Sequence, residues 1–356
     1  MFIARQASSE DVNSLLKLAR TVHFINLPAN RDLIARKVVD SRKSFRGQMK
    51  DPRQRQFLFV LENLNTGAVV GTSGAMSCVS WPGNPHVYLK VGRREYWSED
   101  LQQGTMQVTV QLGTDETGPS EIGGLVLGAG HRRHPDRLAW LLANVRFHYM
   151  GLHPRWFKKR VIAEMMGSVT PDSHALLWDY LGRRFINLSF KEADLFTAQG
   201  KEYITSLFPR EELFASLLPP EARVLIGREH DEAKPARAML EAQGFEYDGE
   251  VDPFDGGPYL EAKRDEIPLI KGTESLELAG AMRSKAGEQS AKSPRMGIVS
   301  CSGEHGFRST RSTYSVRAGK IRLPAEVIDA IQATNGMKIG LTPEPPRQSP
   351  VAPGKK

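Results

Sequence analysis

The chain has 356 residues, of which 40% are hydrophobic and 25% are charged; this excludes a collagen-like or largely disordered protein and allows two domains. Of the net charge of +7, residues 286–356 carry +6, with 11 Lys+Arg against 5 Asp+Glu, so the basic pI does not indicate an anionic ligand for the main part of the chain. Two distant cysteines, Cys78 and Cys301, argue against a disulfide framework. Neither a signal peptide nor an apolar run of about 18 residues is visible, so we expect a cytoplasmic protein with no membrane partner.

The first third of the chain predicts a strand, two helices and a set of strands. Ser8 and Ser9 supply N-cap chemistry for the first helix. Asn65-Thr66-Gly67 separates two strand-like runs and predicts a hairpin. The predicted elements are a strand at residues 2–6, a helix from residue 12, a basic helix through residues 36–43, and strands at residues 57–61, 68–79 and 107–112.

A strand, a basic turn and a long helix follow one another in residues 120–151. Residues 121–127 include an apolar run typical of a strand that is buried on both faces. Residues 128–137 read GAGHRRHPDR, and apolar residues then recur at helical spacing through residues 138–149. A basic turn that leads into a helix is a layout in which first-turn amides meet a phosphate.

Three arginines of this turn, Arg132, Arg133 and Arg137, are candidate phosphate ligands. Pro135 is expected at the first position of the helix. A glycine in the middle of such a turn lets the backbone approach a phosphate closely, and Asp136 or Arg137 stands in that place here. Phosphate would then be held by arginine side chains rather than by amides alone, and a purely structural turn is the alternative.

The order of the elements resembles that of the GNAT acyltransferase fold. A strand at residues 160–166 and a helix that ends at Gly182 complete this order. We therefore predict an α/β fold with a GNAT-type core, followed by a helical and β-hairpin extension. Such a likeness of fold does not define a substrate.

The extension and the tail are predicted from composition and breaker residues. Helices are expected at residues 192–207, 211–218 and 235–244, before a hairpin that turns at residues 255–258. The predicted division is an acyl-CoA-binding core at 1–190, a second part of the same domain at 191–272, a flexible linker at 273–312, a small β-rich module similar to AbrB-type regulators at 313–343, and a disordered tail at 344–356.

Several motifs spread along residues 2–270 resemble the arginine N-succinyltransferase family. They are LPAN from Leu27, FLFVLENLNTG from Phe57, SEIGGLVL from Ser120, VIAEMMG from Val161, LGRRF from Leu181, EADLF from Glu192, VLIGREH ending at His230, PARAMLEAQGFEY, and VDPFDGGPYLEA from Val251. The resemblance implies transfer of succinyl from succinyl-CoA, a co-substrate rather than a permanently bound cofactor, to the α-amino group of L-arginine. It also implies that His230 is the catalytic proton donor and that Leu125 contacts succinyl-CoA.

The residues themselves leave alternatives at each proposed position. His230 has a side chain suited to proton transfer near neutral pH, but a surface histidine among acidic neighbours is the competing interpretation. Leu125 would act through its backbone. Glu164 stands among apolar residues and needs a guanidinium partner, from the substrate or from the chain. Asp252 and Asp255 could bind a cationic substrate or simply form the turn.

A second interpretation treats the chain as a degenerate acyltransferase. It would be a regulator that responds to arginine or CoA and contacts DNA through Lys320 and Arg322. We favour the enzyme, and expect a homo-oligomer without a nucleic-acid partner. No metal is expected, because His131 and His134 lack further ligands at suitable spacing.

Overall fold

A mixed sheet of sixteen strands organises the described part of the chain. The structure is a computed structural model, and it describes residues 1–21, 29–170, 174–197, 200–282 and 295–345. The strands are β1 (Phe2–Gln6), β2 (Gln56–Asn63), β3 (Ala68–Met76), β4 (His86–Ser98), β5 (Gln103–Asp115), β6 (Ser120–Leu127), β7 (Arg160–Glu164), β8 (Leu213–Phe214), β9 (Glu246–Val251), β10 (Pro258–Lys263), β11 (Glu274–Ala281), β12 (Met296–Gly303), β13 (Gly306–Thr313), β14 (Ser315–Arg317), β15 (Lys320–Leu323) and β16 (Lys338–Pro343). Their order across the sheet is β14-β15-β11-β16-β12-β13-β1-β2-β3-β6-β7-β10-β9-β4-β5-β8.

The helices connect and cover these strands. They are α1 (Val12–Ala19), α2 (Arg31–Phe45), α3 (Leu138–Leu152), α4 (Leu176–Tyr180), α5 (Phe190–Thr197), α6 (Glu202–Leu207), α7 (Pro220–Arg223), α8 (Lys234–Glu241), α9 (Pro268–Lys271) and α10 (Ala325–Ala330). None of the helices within the described ranges is long and apolar enough to cross a membrane.

The predicted elements of the first third are confirmed where the local signals are strong. β2 and β3 form the predicted hairpin, and Gly67 adopts a φ of +69° in its turn. α2 begins at Arg31 because the side chain of Asn30 accepts hydrogen bonds from the amides of Asp32 and Leu33. Part of the LPAN motif lies outside the described residues.

Elements whose pairing partners are distant in sequence differ from the prediction. The strand expected at 107–112 is part of the longer β5, which forms a hairpin with β4. The helix expected at 211–218 is absent from the described structure; Leu213 and Phe214 instead pair with the edge of β5. The helix expected at 192–207 is divided into α5 and α6, and residues 198–199 between them lie outside the described part.

Helix α3 lies at the centre of the fold and is buried along most of its length. Its side chains share a hydrophobic cluster with β2, β6 and β7 on the core side and with Ile298 and Phe307 of the C-terminal strands. Near its middle, the His148 ring contacts Thr342 Oγ1 through Nδ1 (2.6 Å) and Ser300 Oγ through Nε2 (2.7 Å). Burial lowers the pKa of His148 to about 3, so the ring is neutral. The C-terminal strands therefore cover the outer face of α3.

The expectation of a flexible linker at residues 273–312 is wrong where the structure describes this segment. β11, β12 and β13 lie within it, and only residues 283–294 fall outside the described part. β13 pairs with β1 in the order Ala4↔Ser309 and Arg5↔Arg308. The C-terminal strands thus continue the main sheet.

These strands were not predicted from the sequence because they contain small polar residues in place of large apolar ones. Ser309 and Thr310 are buried on β13, and their hydroxyl groups donate to the carbonyls of Ala4 (2.9 Å) and Phe2 (2.8 Å). A buried hydroxyl is tolerated once its hydrogen bond is satisfied. Serine and threonine therefore occupy core positions that a hydropathy pattern assigns to a linker.

The predicted order of strand, helix and strand after residue 313 is present as β15, α10 and β16. These elements are not separate from the sheet, because β16 pairs with both β11 and β12. The basic residues assigned to DNA in the second interpretation have partners within the protein: Lys320 is ion-paired with Glu277 (2.6 Å) and Arg322 donates to the carbonyl of Ala281 (3.2 Å). Residues 346–356 of the predicted disordered tail lie outside the described residues.

Candidate active site

The site lies where two parallel strands separate. β6 and β7 pair only at Ser120↔Val161 and Glu121↔Ile162. Beyond these pairs β6 continues to Leu127, and a cavity of about 440 Å³ opens between β6, β7, α3 and α8. A volume of this size is in the usual range for a small-molecule site.

A bulge in β6 shapes one wall of this cavity. On the neighbouring β3, Thr72 pairs with Val126 and Gly74 with Gly123, so β6 contains one extra residue between these pairs. Gly124 adopts a φ of +58° within the bulge, and Leu125 lines the cavity. A bulge leaves a residue outside the hydrogen-bond ladder, so the main chain at Leu125 is placed to bond a ligand.

Two of the three predicted phosphate ligands line the cavity. Arg132 and Arg133 both face it, at the exit of β6. Arg132 donates to the carbonyl of Leu127 (3.4 Å) and to the carboxylate of Glu232 (3.3 Å). Both arginines therefore present positive charge near the start of α3, whose first helical residues have amides that need an acceptor outside the helix.

Arg137 lies differently from the prediction. It adopts a left-handed φ of +56° immediately before α3, which begins at Leu138 rather than at Pro135. Its guanidinium forms an ion pair with Glu344 and lies 5.4 Å from the ring centroid of Trp140. Glu344, whose side chain is 7% exposed, also pairs with Arg311 (2.6 Å). The structure therefore does not bring Arg137 into the cavity.

Two of the predicted carboxylates line the cavity. Glu164 ends β7, and burial together with the neighbouring Asp252 and Glu121 raises the pKa of its carboxyl well above its usual value. Among the described residues, no Arg or Lys is ion-paired with Glu164. Burial and the nearby Asp252 also raise the pKa of Asp255 to about 7. A bound cation would favour the ionised form of both groups.

Asp252 organises the turn rather than facing the cavity. Its carboxylate accepts hydrogen bonds from the amides of Phe254 (2.8 Å) and Asp255 (3.0 Å) and from the hydroxyl of Tyr259 (3.2 Å). The turn packs tightly against the end of β7, since a Cβ added at Gly257 would lie 2.0 Å from the carbonyl oxygen of Met165. These contacts fit the alternative of ordinary turn chemistry for Asp252.

His230 lies beside the main cavity and lines a second one of about 310 Å³. Its amide donates to the carbonyl of Met166 (2.8 Å), and Met166 lines the main cavity. Its Nδ1 accepts from the amide of Glu232 (3.2 Å), which leaves Nε2 as the ring nitrogen that carries a proton in the neutral form. The structure thus brings His230 to the end of β7, while Leu125 lines the main cavity and His230 lines the second one.

Sequence reasoning missed Arg146. This residue of α3 is 4% exposed and lines the cavity. The available signal was a single arginine in the middle of a helix whose other faces are apolar, because a buried arginine usually has a partner or a function.

Comparisons with known proteins identify the family to which the chain belongs. The family described as "Arginine N-succinyltransferase beta subunit" matches residues 2–269. The chain belongs to the arginine N-succinyltransferase family. It is therefore an acyltransferase by family, and the predicted α/β fold is confirmed.

The relatives cover more of the chain than the family match does. "Arginine N-succinyltransferase" of Escherichia coli (strain 55989 / EAEC) is 29% identical over 345 residues, which are 96% of this chain and 97% of the relative. "Arginine N-succinyltransferase subunit beta" of Pseudomonas aeruginosa is 36% identical over 280 residues, 78% and 81% of the two chains. The solved structure of arginine/ornithine succinyltransferase subunit AI from Pseudomonas aeruginosa is 23% identical, with a TM-score of 0.79 over 96% of this chain and 98% of that one. The C-terminal strands, which the sequence reading placed outside the resemblance, are thus included in the similarity.

Proposed function

We propose that this protein transfers the succinyl group of succinyl-CoA to the α-amino group of L-arginine. The observation that carries the proposal is a single cavity, at the point where two parallel strands separate, lined by both arginines and carboxylates. An acyl-CoA brings phosphates that need cationic partners, and arginine brings a guanidinium that needs carboxylates. Membership of the family supports this pairing of substrates.

The CoA side of the site would be held by Arg132, Arg133 and the first-turn amides of α3. The bulge at Leu125 supplies main-chain groups for the thioester. An amide aimed at the carbonyl oxygen stabilises the charge that develops on it in the transition state. Leu125 would therefore contribute through its backbone, while its side chain packs against the core.

The acceptor side would use the carboxylates of Glu164 and Asp255, with Asp252 holding the turn that carries Asp255. Their raised pKa values reflect burial among like charges, and a guanidinium would relieve that repulsion. Arginine and ornithine present the same α-amino-acid end, so the carboxylates would distinguish acceptors through the side-chain cation.

The reaction is an aminolysis. The α-amino nitrogen attacks the thioester carbonyl carbon, the C–N bond forms, the C–S bond breaks, and the proton lost by the amine balances the charge of the leaving thiolate. We assign His230 to this proton transfer, since Nε2 is free of the helix cap and the residue is bonded to Met166 at the cavity wall. A positioned acid–base group contributes about 10²–10⁴-fold to such a step.

A panel of amines tests the proposal. Free-thiol release from succinyl-CoA is followed with L-arginine, L-ornithine, L-citrulline and L-lysine, and the products are identified by mass spectrometry. We expect release with arginine and a product acylated on the α-nitrogen. His230→Ala should lower kcat by about 10²–10⁴-fold while leaving the Kd of succinyl-CoA nearly unchanged. Thiol release with none of the amines, or an unimpaired His230→Ala enzyme, contradicts the corresponding part of the proposal.

We also propose that the protein forms a homo-oligomer. Two of the similar proteins are named as subunits, which supports assembly. Light scattering of the purified protein gives the molecular mass directly, and a mass near 39.6 kDa at micromolar concentration contradicts the assignment.

A further inference from the structure

One buried arginine in the cavity has no anionic partner among the residues that the structure describes. Arg146, on the third turn of α3, donates from Nε to the carbonyl of Ala143 (2.8 Å) and from Nη1 to that of Gly123 (3.4 Å). Within the described residues, no carboxylate is ion-paired with it and Nη2 has no hydrogen-bond acceptor. Its side chain is nonetheless part of the cavity wall.

A guanidinium in this position is energetically demanding. Moving a charge out of water is costly unless a counter-charge and hydrogen bonds replace the water. Two carbonyl oxygens satisfy some of the N–H groups but supply no negative charge. Burial lowers the pKa of Arg146 to about 9, so the side chain is still a cation at neutral pH. The cavity therefore offers a preformed place for an anion.

We propose that Arg146 binds the free carboxylate of the succinyl group and makes the enzyme specific for a dicarboxylic acyl-CoA. This inference rests on the proposed function, because it assigns the acyl end of the same site. Arginine suits the task, since its planar fork can hold a carboxylate through two hydrogen bonds.

The spacing along β6 fits a succinyl group. In the proposed function the bulge at Gly124 and Leu125 holds the thioester carbonyl, and Arg146 contacts Gly123, one residue before the bulge. One residue of strand advances about 3.3 Å. The two carbonyl carbons of succinyl are three bonds apart, about 3.8 Å when extended, as are successive Cα atoms. A thioester held at the bulge would thus direct its second carboxyl towards Arg146.

The acceptor's α-carboxylate is the other anion that this site would meet. The hydrogen bond to Gly123 favours the succinyl carboxylate, because it places Arg146 beside β6, the strand that would hold the thioester. The two sources differ in a measurable way. Loss of an acyl contact changes discrimination between acyl-CoAs, whereas loss of an acceptor contact raises the KM of arginine for every acyl-CoA.

The test compares succinyl-CoA with butyryl-CoA, which has the same chain length and a methyl group in place of the carboxylate. In the wild type, kcat/KM should favour succinyl-CoA by about 10²–10³-fold, because butyryl leaves the buried cation unpaired. In Arg146→Met this preference should fall to within about tenfold, and Arg146→Lys should recover part of it. In the absence of arginine, the wild type should bind succinyl-CoA more tightly than CoA, and Arg146→Met should reduce this difference between the two Kd values.

Stability and a second arginine provide the controls. Arg146→Met removes an unpaired buried charge, so its melting temperature without ligand should equal or exceed that of the wild type; a merely structural arginine would lower it. Arg308→Met is the matched control, since Arg308 also donates to a backbone carbonyl, that of Ala330 (2.9 Å), but outside the cavity. It should keep the wild-type acyl preference.

Three results overturn the inference. They are unchanged discrimination in a folded Arg146→Met, a selective rise in the KM of arginine, and no wild-type preference for succinyl-CoA over butyryl-CoA in an enzyme that turns over both. Failure of the wild type to bind or use any acyl-CoA refutes the proposed function itself, so the two failures are distinguishable.

Discussion

Arginine binding should depend on pH through the carboxylates of the cavity. Asp255 has a pKa of about 7, and the pKa of Glu164 is also raised. A guanidinium binds the ionised carboxylates, so arginine must displace a proton from the fraction that is still protonated. The affinity for arginine is therefore highest above pH 7 and decreases as the pH falls below 7. With a single group of pKa about 7, the Kd of arginine should rise about tenfold between pH 8 and pH 6, since each unit of pKa shift corresponds to a factor of ten.

Calorimetric titration of arginine into the enzyme with CoA measures this without turnover. Buffers of different ionisation enthalpy report the protons released, which should approach one per arginine at pH 6 and fall towards zero at pH 8.5. L-Citrulline has the same α-amino-acid end and a neutral side chain, so its Kd should show no such rise. Glu164→Gln should weaken arginine binding at pH 8, and Asp255→Asn should flatten its pH dependence. A Kd for arginine that changes less than twofold between pH 6 and 8, or an equal rise for citrulline, refutes the assignment of these carboxylates to the guanidinium.

Two further predictions concern the C-terminal strands. Glu344→Gln removes the ion pair of Arg137 and should raise the Kd of CoA roughly 5- to 30-fold, because an L-residue disfavours the left-handed backbone that Arg137 adopts by about that factor. Adding Arg137→Gly to this variant should recover most of the lost affinity, as measured by CoA titration. A further loss in the double variant would mean that Arg137 itself holds the ligand. His148 has a pKa of about 3 in the folded protein and about 6.5 in the unfolded chain. Below pH 6.5 the unfolded chain therefore binds a proton that the folded protein does not, and the free energy of unfolding should decrease by about 2 kcal/mol at pH 5. His148→Asn should lose correspondingly less stability than the wild type between pH 7 and pH 5 in urea unfolding, and the exposed His305→Asn should behave as the wild type; equal slopes for His148→Asn and the wild type would contradict this.

The sequence allowed prediction of elements whose signals are local. The β2–β3 hairpin follows from its turn residues, β6 from its apolar run and α3 from the spacing of its apolar residues. The start of α3 could not be predicted in the same way. Pro135 is suited to a first helical position, but a tertiary ion pair between Arg137 and Glu344, 207 positions away, is associated with a start at Leu138.

The candidate site was predicted in part. Leu125, Arg132, Arg133, Glu164 and Asp255 line one cavity, as expected of residues with a common ligand. The other positions depend on contacts that no pattern records, such as the hydrogen bonds that engage the Asp252 carboxylate within its own turn. The omission of Arg146 has a different cause, since a helix interpreted only by its apolar spacing gives no weight to the one charge within it.

The C-terminal strands are part of the acyltransferase fold rather than an addition to it. β1 is paired on one side with β2 and on the other with β13, so removal of the C-terminal strands would turn an interior strand into an edge. It would also expose the buried His148 and remove the ion pair at Arg137, which lies next to the turn that carries Arg132 and Arg133. The helix that leads away from the proposed phosphate site is thus fixed at its start and at its middle by residues beyond the family match at residue 269. Ligand binding at the turn should consequently depend on strands that do not line the cavity.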